Sequence, residues 1–402
     1  MFICFAILFS YGGNSAMFHA DSFSDFFRKS CEHLFTPERI ARQLYKKGIA
    51  ASRKTAKRQK TSIDYPVDFV VTWVDSSDPE WQSEKENYFG QLTPGEKNNN
   101  SSCRYREWDL FRYWFRAVEK YASWVRYVWL ITYGHTPIWL NLDHPKLRIV
   151  KHEDYIPHEY LPTFNSLCME LNMWRISGLS EHFVYFNDDF FLFNEISKED
   201  FFTGDLPNLC AVAEPLKAYD RMTTYEHSIL NVIGLFNSSY KIRKVMYEAP
   251  EKWFSYRYGT YNRFNRITYT LGHLSGIYYH HLPIPMRKSS MEQCYATFCQ
   301  SFHDTCLHRF RRMDDINNQL FFLWEMVHNT FEPVSYDHYG KYFDLHRENL
   351  DIITKAFSGR KKYKTICLND NELMLDEDFE YVRDTLVSLM NKRLPEKSSF
   401  EI

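Results

Sequence analysis

The stretch Val67-Asp68-Phe69-Val70-Val71-Thr72-Trp73-Val74 runs directly into Asp75-Ser76-Ser77-Asp78-Pro79. Apart from Asp68, its first half is β-branched and apolar, the pattern of a strand buried on both faces. Its second half is a loop of short polar side chains closed by proline. The same grammar recurs downstream. Val125 to Thr132 and Leu147 to Val150 read as further strands, and Phe183 to Phe186 as a fourth that ends at Asn187-Asp188-Asp189. Between them, Asp109 to Tyr121 has helical spacing, with Leu110, Tyr113, Trp114, Ala117, Val118 and Tyr121 on or near one face, and Cys168 to Ile176 also reads as helix. Strands alternating with helices predict an α/β fold with a mainly parallel sheet covered on both faces.

The chain has 402 residues, enough for two or three domains or one large α/β domain with insertions. With 44% hydrophobic and 25% charged residues it is neither disordered nor fibrous. Lys+Arg 49 against Asp+Glu 51 speaks against nucleic acid as the main partner. Aromatic residues reach 18%, and large core fillers account for them more readily than stacking platforms for sugars or bases. The nine cysteines are scattered and lack the C-x-x-C and His spacing of a zinc site, so they read as buried thiols in a reducing compartment. Sequons at Asn99, Asn100 and Asn237 would matter only in a secreted protein.

Phe2 to Phe9 is apolar but far shorter than the roughly 20 residues a bilayer requires. It has no basic n-region and only a faint cleavage signal near Asn14 to Ala16, so a start at Met17 is weighed above a cleaved signal peptide. Lys46, Lys47, Arg53, Lys54, Lys57, Arg58 and Lys60 then follow without an acidic residue, preceded by Phe23, Phe26, Phe27, Leu34, Ile40 and Leu44. This basic, amphipathic arm suits either an anionic membrane surface or a solvated linker.

In open parallel sheets, ligands sit beyond the carboxyl ends of the strands. Two strand ends here are acidic: Asp75 with Asp78, and Asp188 with Asp189. Hard oxygen ligands in that place suit Mg²⁺ or Mn²⁺ holding a diphosphate, whereas any single Asp could equally cap a helix or form a turn.

Four ordered blocks resemble the Stealth family of sugar-phosphate transferases. They are Asp68 to Trp81; the segments from Arg104 to Phe191; His281-Leu-Pro-Ile-Pro-Met-Arg-Lys-Ser289 with Arg309-Phe-Arg-Arg-Met-Asp-Asp-Ile316; and Ile366-Cys-Leu-Asn-Asp-Asn371 with the tail Pro395 to Glu401. The family includes bacterial capsule and exopolysaccharide phosphotransferases and the catalytic subunit of the lysosomal-enzyme N-acetylglucosamine-1-phosphotransferase. The resemblance implies transfer of a sugar-1-phosphate from a nucleotide sugar, a UDP-sugar, to a hydroxyl of a glycan acceptor. The products would be a phosphodiester and UMP.

The resemblance also implies roles. Asp189, with Asp188 and Asp370, would hold Mg²⁺ or Mn²⁺. His281 is the general base for the acceptor hydroxyl, and Arg311 clamps the transferred phosphate, with Arg287, Lys288 and Arg312 as second choices. Glu170 binds sugar hydroxyls or replaces His281 as base. Trp73, Val74 and Asp75 meet uracil and ribose, and Arg106 reaches a phosphate. Ser76, Leu110, Leu167 and Trp174 depart from the family pattern, the last two beside Glu170, where they could reshape the acceptor or sugar pocket.

The expected architecture is a Rossmann-like, glycosyltransferase-type sheet with a largely helical insertion. Residues 1–64 would form the arm, 65–204 the nucleotide-sugar core, 205–320 the insertion with the catalytic His and Arg, and 321–402 the part completing the core. Two alternatives are a metal-dependent glycosyltransferase releasing UDP and a non-catalytic glycan-binding protein. The expected setting is the bacterial cytoplasm, with peripheral contact at the inner membrane face through the arm, rather than a Golgi-type lumen.

Overall fold

The computed structural model describes residues 20–55 (side chains from Thr36 onward), 62–93, 97, 106–219, 222–359, 363–370 and 374–402. The sequons at Asn99 and Asn100, the apolar run Phe2 to Phe9 and the block residue Asn371 lie outside them. Strand β1 (Val67–Thr72) is buried at its first five positions, as the apolar residues Val67 and Phe69 to Val71 require, with Asp68 buried among them. β2 (Val128–Thr132) and β4 (His182–Phe186) flank it in parallel, and both are buried throughout. β3 (Leu147–Lys151) pairs in parallel with β2. β8 (Ile284–Arg287) adds an antiparallel edge to β4, giving the order β3-β2-β1-β4-β8. The fold is therefore α/β with a mostly parallel central sheet.

The chain leaves β4 through Asn187-Asp188-Asp189 and turns at once into β5 (Phe190–Leu192). β5 belongs to a second sheet with β10 (Gly340–Leu345) and β11 (Thr365–Asp370). The Asp188-Asp189 turn thus bridges two sheets, and the Leu368 amide donates to the Asp189 carbonyl at 3.0 Å. A minor sheet of β6 (Phe202–Thr203), β7 (Leu206–Leu209) and β9 (Glu332–Pro333) borders the helical part.

Several helices cover these sheets. α1 (Ala20–Thr55) precedes the body, α2 (Pro79–Phe89) follows the β1 loop, α3 (Phe111–Tyr121) backs β5, and α4 (Ser166–Leu171) precedes β4. α4 ends at Leu171 and passes into a 3₁₀ turn, Met173–Arg175, so the helix expected over Cys168 to Ile176 is two short pieces. The segment between β7 and β9 contains α5 (Thr224–Ser239), α6 (Pro250–Trp253), α7 (Asn262–Leu271), α8 (Lys288–Cys306) and α9 (Gln319–Val327), and it returns β8 to the central sheet. α10 (Asp376–Arg393) leads to a tail clasped by Arg116, whose guanidinium donates to both Glu401 carboxylate oxygens at 2.7 and 2.8 Å. Of the described cysteines all are free thiols, and only Cys299 is exposed.

The described part of α1 does not offer its apolar stripe outward. Ala41 and Leu44 are buried, and the helix packs on α6 and α7. This corrects the reading of Ile40 and Leu44 as a membrane-facing side, because protein already covers that face. The approach is close at Gly48: a β-carbon there would lie 2.2 Å from the Pro250 carbonyl oxygen and 2.8 Å from the Phe254 Cβ. Gly48→Val should therefore cost about 2 kcal/mol and speed proteolytic nicking within residues 36–55. Unchanged nicking kinetics would show that the helix is not held by this contact. Among the described residues, no helix is long and apolar enough to cross a membrane.

Candidate active site

A cavity of about 860 Å³ opens beyond the carboxyl ends of β1, β2 and β4 and reaches the second sheet. It is lined by Trp73, Val74, Arg106, Glu170, Asp188, Asp189, His281, Arg311 and Asp370. Residues more than 200 positions apart in sequence thus share one space. Asp75 is not among the lining residues. Its carboxylate Oδ1 accepts from the Ser77 amide at 2.8 Å and the Ser77 hydroxyl at 2.6 Å, and its own amide donates to His135 Nε2 at 2.8 Å. It shapes the loop after β1, the bland alternative for an Asp in such a position. Trp73 stacks on Phe111 with ring planes 1° apart and centroids at 5.7 Å, which fixes that wall.

Arg311 is held from several directions. Its guanidinium donates to the Ser166 hydroxyl at the start of α4. Its neighbour Phe310 stacks on Phe164 at 5.2 Å, and the Phe164 amide donates to the Arg309 carbonyl at 2.9 Å. Asp315, fully buried, ties down the same loop. It accepts from the Arg312 amide at 2.8 Å and the Asn165 amide group at 3.0 Å, and lies 2.7 Å from His308 Nδ1. The second-choice cations are engaged elsewhere. Arg287 donates to both Glu325 carboxylate oxygens, Lys288 donates to the Ile176 carbonyl, and Arg312 pairs with Asp314.

Glu170 stands one turn along α4 from Ser166. Burial raises its pKa to about 7, against the pull of the Arg311 charge and of hydrogen bonds from Ser166 and Tyr185. His281 has a backbone φ of 40°, in the left-handed region that costs a β-substituted residue on the order of 1 kcal/mol. Burial, and then the Arg311 charge, depress its pKa to about 4, so its ring is a neutral acceptor at pH 7. His281 Nε2 lies 3.9 Å from Asp189 Oδ2.

The acidic turn carries unbalanced charge. Burial, then repulsion from Glu107, raises Asp188 to about 6. Burial, then Asp188, raises Asp189 to about 8. Asp189 Oδ1 is buried and has no hydrogen-bond donor, while the Cys367 thiol donates to Oδ2 at 3.3 Å. Carboxylates crowded in this way, one with an orphaned oxygen, fit a divalent cation. Asp370 differs, because Arg106 approaches it at 3.4 Å and the Trp108 indole donates to it at 3.3 Å.

Glu107 and Cys367 both sit inside blocks quoted above, yet nothing in their local spacing marks them as neighbours of Asp188 and Asp189. Leu167 is buried on α4 and Trp174 packs against Tyr295 with ring centroids 5.1 Å apart, and neither lines the cavity; Leu110 does.

These carboxyls give stability a definite pH dependence. Folded pKa values raised to about 7 and about 8 for Glu170 and Asp189 mean that both bind protons more tightly folded than unfolded. Their contribution is complete below the ordinary carboxylate range and is lost as pH rises through 7 and 8. His152, His280 and His281 are all held low and are neutral across most of that window, so they do not offset it. Without divalent cation, the melting temperature should fall between pH 6.5 and 8.5. Added Mg²⁺ should restore more at the higher pH. A calorimetric series rising through that window would contradict this account.

Residues 65–93 match the model described as "Stealth protein CR1, conserved region 1", and residues 104–208 match "Stealth protein CR2, conserved region 2". A capsular polysaccharide phosphotransferase WcwK of Streptococcus pneumoniae is 38% identical over 342 residues, covering 83% of this chain and 98% of the relative. The exopolysaccharide phosphotransferase cps2G of Lactiplantibacillus plantarum is 35% identical over 345 residues, 85% of this chain and 98% of its own. The receptor polysaccharide phosphotransferase WefC of Streptococcus gordonii is 35% identical over 338 residues, 84% and 99% of the two chains. A solved bifunctional glycosyltransferase, WbbM, aligns at 10% identity and a TM-score of 0.36 over 83% of this chain and 50% of that one. With two conserved regions matched and such relatives covered almost end to end, the chain belongs to the Stealth family and is a transferase.

Proposed function

We propose that the protein transfers a sugar-1-phosphate from a UDP-sugar to a hydroxyl of a glycan acceptor, forming a phosphodiester and releasing UMP, in the synthesis of a capsular or exopolysaccharide. The observation that carries this reading is the convergence of a phosphate-sized cation, Arg311, with a neutral imidazole, His281, and the acidic pair Asp188-Asp189 in one cavity.

Phosphoryl transfer needs an in-line acceptor, charge neutralisation on the equatorial oxygens and modest proton removal. Arg311, held by Ser166, clamps the transferred phosphate through two parallel N–H donors in this reading. His281 accepts the proton of the attacking hydroxyl at Nε2 as the bond from oxygen to the β-phosphorus forms and the bond to the UMP oxygen breaks. Asp188 and Asp189, with Asp370 at longer reach, would hold Mg²⁺ or Mn²⁺, which when bound neutralises diphosphate charge. Glu170 orients the sugar through its hydroxyls, Trp73 and Val74 form the base-binding wall, and Arg106 holds Asp370 in place as well as facing the phosphates. The protein acts in the cytoplasm, with peripheral contact at the inner membrane face through the basic side chains of the N-terminal arm, residues 1–64.

The test is the released nucleotide. Purified protein with Mg²⁺ or Mn²⁺, a panel of UDP-sugars and a short glycan should yield UMP, and Asp189→Ala and His281→Ala should each abolish it. Release of UDP instead would overturn the reading in favour of ordinary glycosyl transfer.

A further inference from the structure

Beside the Asp189 carboxylate stand two donors, a thiol and an imidazole, that a magnesium site does not call for. Asp189, His281 and Cys367 each offer one atom, an oxygen, an imidazole nitrogen and a sulfur, and all three atoms lie within 4.8 Å of one another. The oxygen–sulfur separation is 3.3 Å and the oxygen–nitrogen separation 3.9 Å. A tetrahedral zinc ion, with bonds of about 2.3 Å to sulfur and about 2.0 Å to nitrogen and oxygen, sets those separations at about 3.6 and about 3.3 Å. The observed separations differ from these by about 0.3 and about 0.6 Å, and Asp189 and His281 both line the cavity.

The other acid–imidazole group among the described residues, His308 with Asp314 and Asp315, makes an instructive contrast. There the imidazole bonds the Asp315 carboxylate directly at 2.7 Å and further donors saturate it, so the space for an ion is closed. At Asp189 the imidazole stands 3.9 Å from Oδ2, beyond hydrogen-bond distance, and Oδ1 has no donor. Nothing in a magnesium site calls for a thiol. Soft sulfur with imidazole selects zinc and its thiophilic neighbours, which bind nitrogen and sulfur more tightly than magnesium does.

We propose that Asp189, His281 and Cys367 form a site for a thiophilic divalent ion, zinc foremost, and that its occupancy blocks transfer. Binding exchanges the Cys367 S–H proton, lost to solvent, for a metal–sulfur bond, and it engages the Nε2 lone pair of His281. It also diverts Asp189 from Asp188. The blocking half of the proposal rests on the roles assigned above to His281 and Asp189, whereas the binding half does not.

Cobalt(II) provides a readout independent of turnover. The full-length protein titrated with cobalt should develop a thiolate-to-metal charge-transfer band, which zinc should bleach by displacement. Cys367→Ser should lose the band and weaken zinc binding by roughly tenfold or more. If that variant fails to fold, Asp189→Asn and His281→Gln should each diminish the band. In the transfer assay with excess Mg²⁺, zinc should inhibit at far lower concentration than Mg²⁺ activates, and Cys367→Ser should need more zinc for the same inhibition. Cobalt binding without a thiolate band, or a band that survives Cys367→Ser, would overturn the site. A band in a protein that transfers nothing would instead remove the functional reading and leave the site standing.

Discussion

Arg311→Ala is expected to lower kcat by about 10³-fold or more while changing the donor KM much less, because a guanidinium on a transferring phosphate acts mostly in the transition state. Arg311→Lys should recover only part of the loss, since an ammonium offers a point charge where the guanidinium offers two parallel donors. The substitution also carries an electrostatic signature. Burial holds Glu170 up at about 7 while Arg311 pulls it down, and Arg311 pushes His281 below its ordinary range. Removing the cation should therefore raise both. If Glu170 acts as a carboxylate, kcat/KM of the parent enzyme climbs with pH through about 7. In Arg311→Ala that climb should move to higher pH, because a carboxyl with a higher pKa stays protonated longer. Glu170→Gln should flatten it. A full-rate Arg311→Ala enzyme would remove Arg311 from the chemistry, and an unshifted climb would separate it electrostatically from Glu170.

The sheet was legible because local pattern and tertiary role coincide in it. Phe69–Val71 and Phe183–Phe186 are apolar runs because both faces of each strand are covered, and hydrophobicity alone reports that. The acidic strand end at Asp188-Asp189 was legible for a similar reason, since a carboxylate pair after a buried strand can only face the strand's carboxyl edge. The other acidic end misled. Asp75 has the same residue type in the same kind of place, but its Oδ1 accepts from the amide and hydroxyl of Ser77, two residues away, and it does not line the cavity, a preference local sequence does not resolve. His281 and Arg311 stood out through the family resemblance and not through spacing, because their approach to Glu170 depends on how the helical segment folds back. Cys367 was invisible for a related reason. A lone thiol between Ile366 and Leu368 reads as core filling, and only the turn of β4 into β5 sets Asp189 beside it. The arm was read through its composition, and the burial of Ala41 and Leu44 reflects a partner surface elsewhere in the chain.

Asp68 tests the claim that position along a strand, and not residue type, decides what a carboxylate does. It lies at the second residue of β1, at the opposite end from the cavity, and is completely buried. Five donors converge on it: Arg126 Nε at 2.8 Å and Nη2 at 2.5 Å, the Tyr127 amide at 3.2 Å, the Trp129 indole at 2.8 Å and the Ser180 amide at 2.9 Å. These tie β1 to the entry of β2 and to the turn before β4, so one side chain sets the register of three strands. Asp68→Asn keeps the shape but turns one acceptor oxygen into a donor facing donors, and it strips the buried charge from Arg126. Loss of one partner from a buried pair costs about 3–5 kcal/mol, and because Arg126 is one-third exposed the lower end applies, about 3 kcal/mol. Chemical denaturation should show that loss as a lower midpoint at unchanged slope. Below the melting range kcat should stay within about twofold of the parent, since no transition-state contact is touched. Asp188→Asn should do the reverse, lowering turnover while leaving the melting temperature in the absence of divalent cation unchanged or higher, because it relieves the repulsion that raises Asp189. A severe loss of kcat in a well-folded Asp68→Asn protein would mean that the amino end of β1 communicates with the cavity. The division of labour between the two ends of the strand would then be wrong.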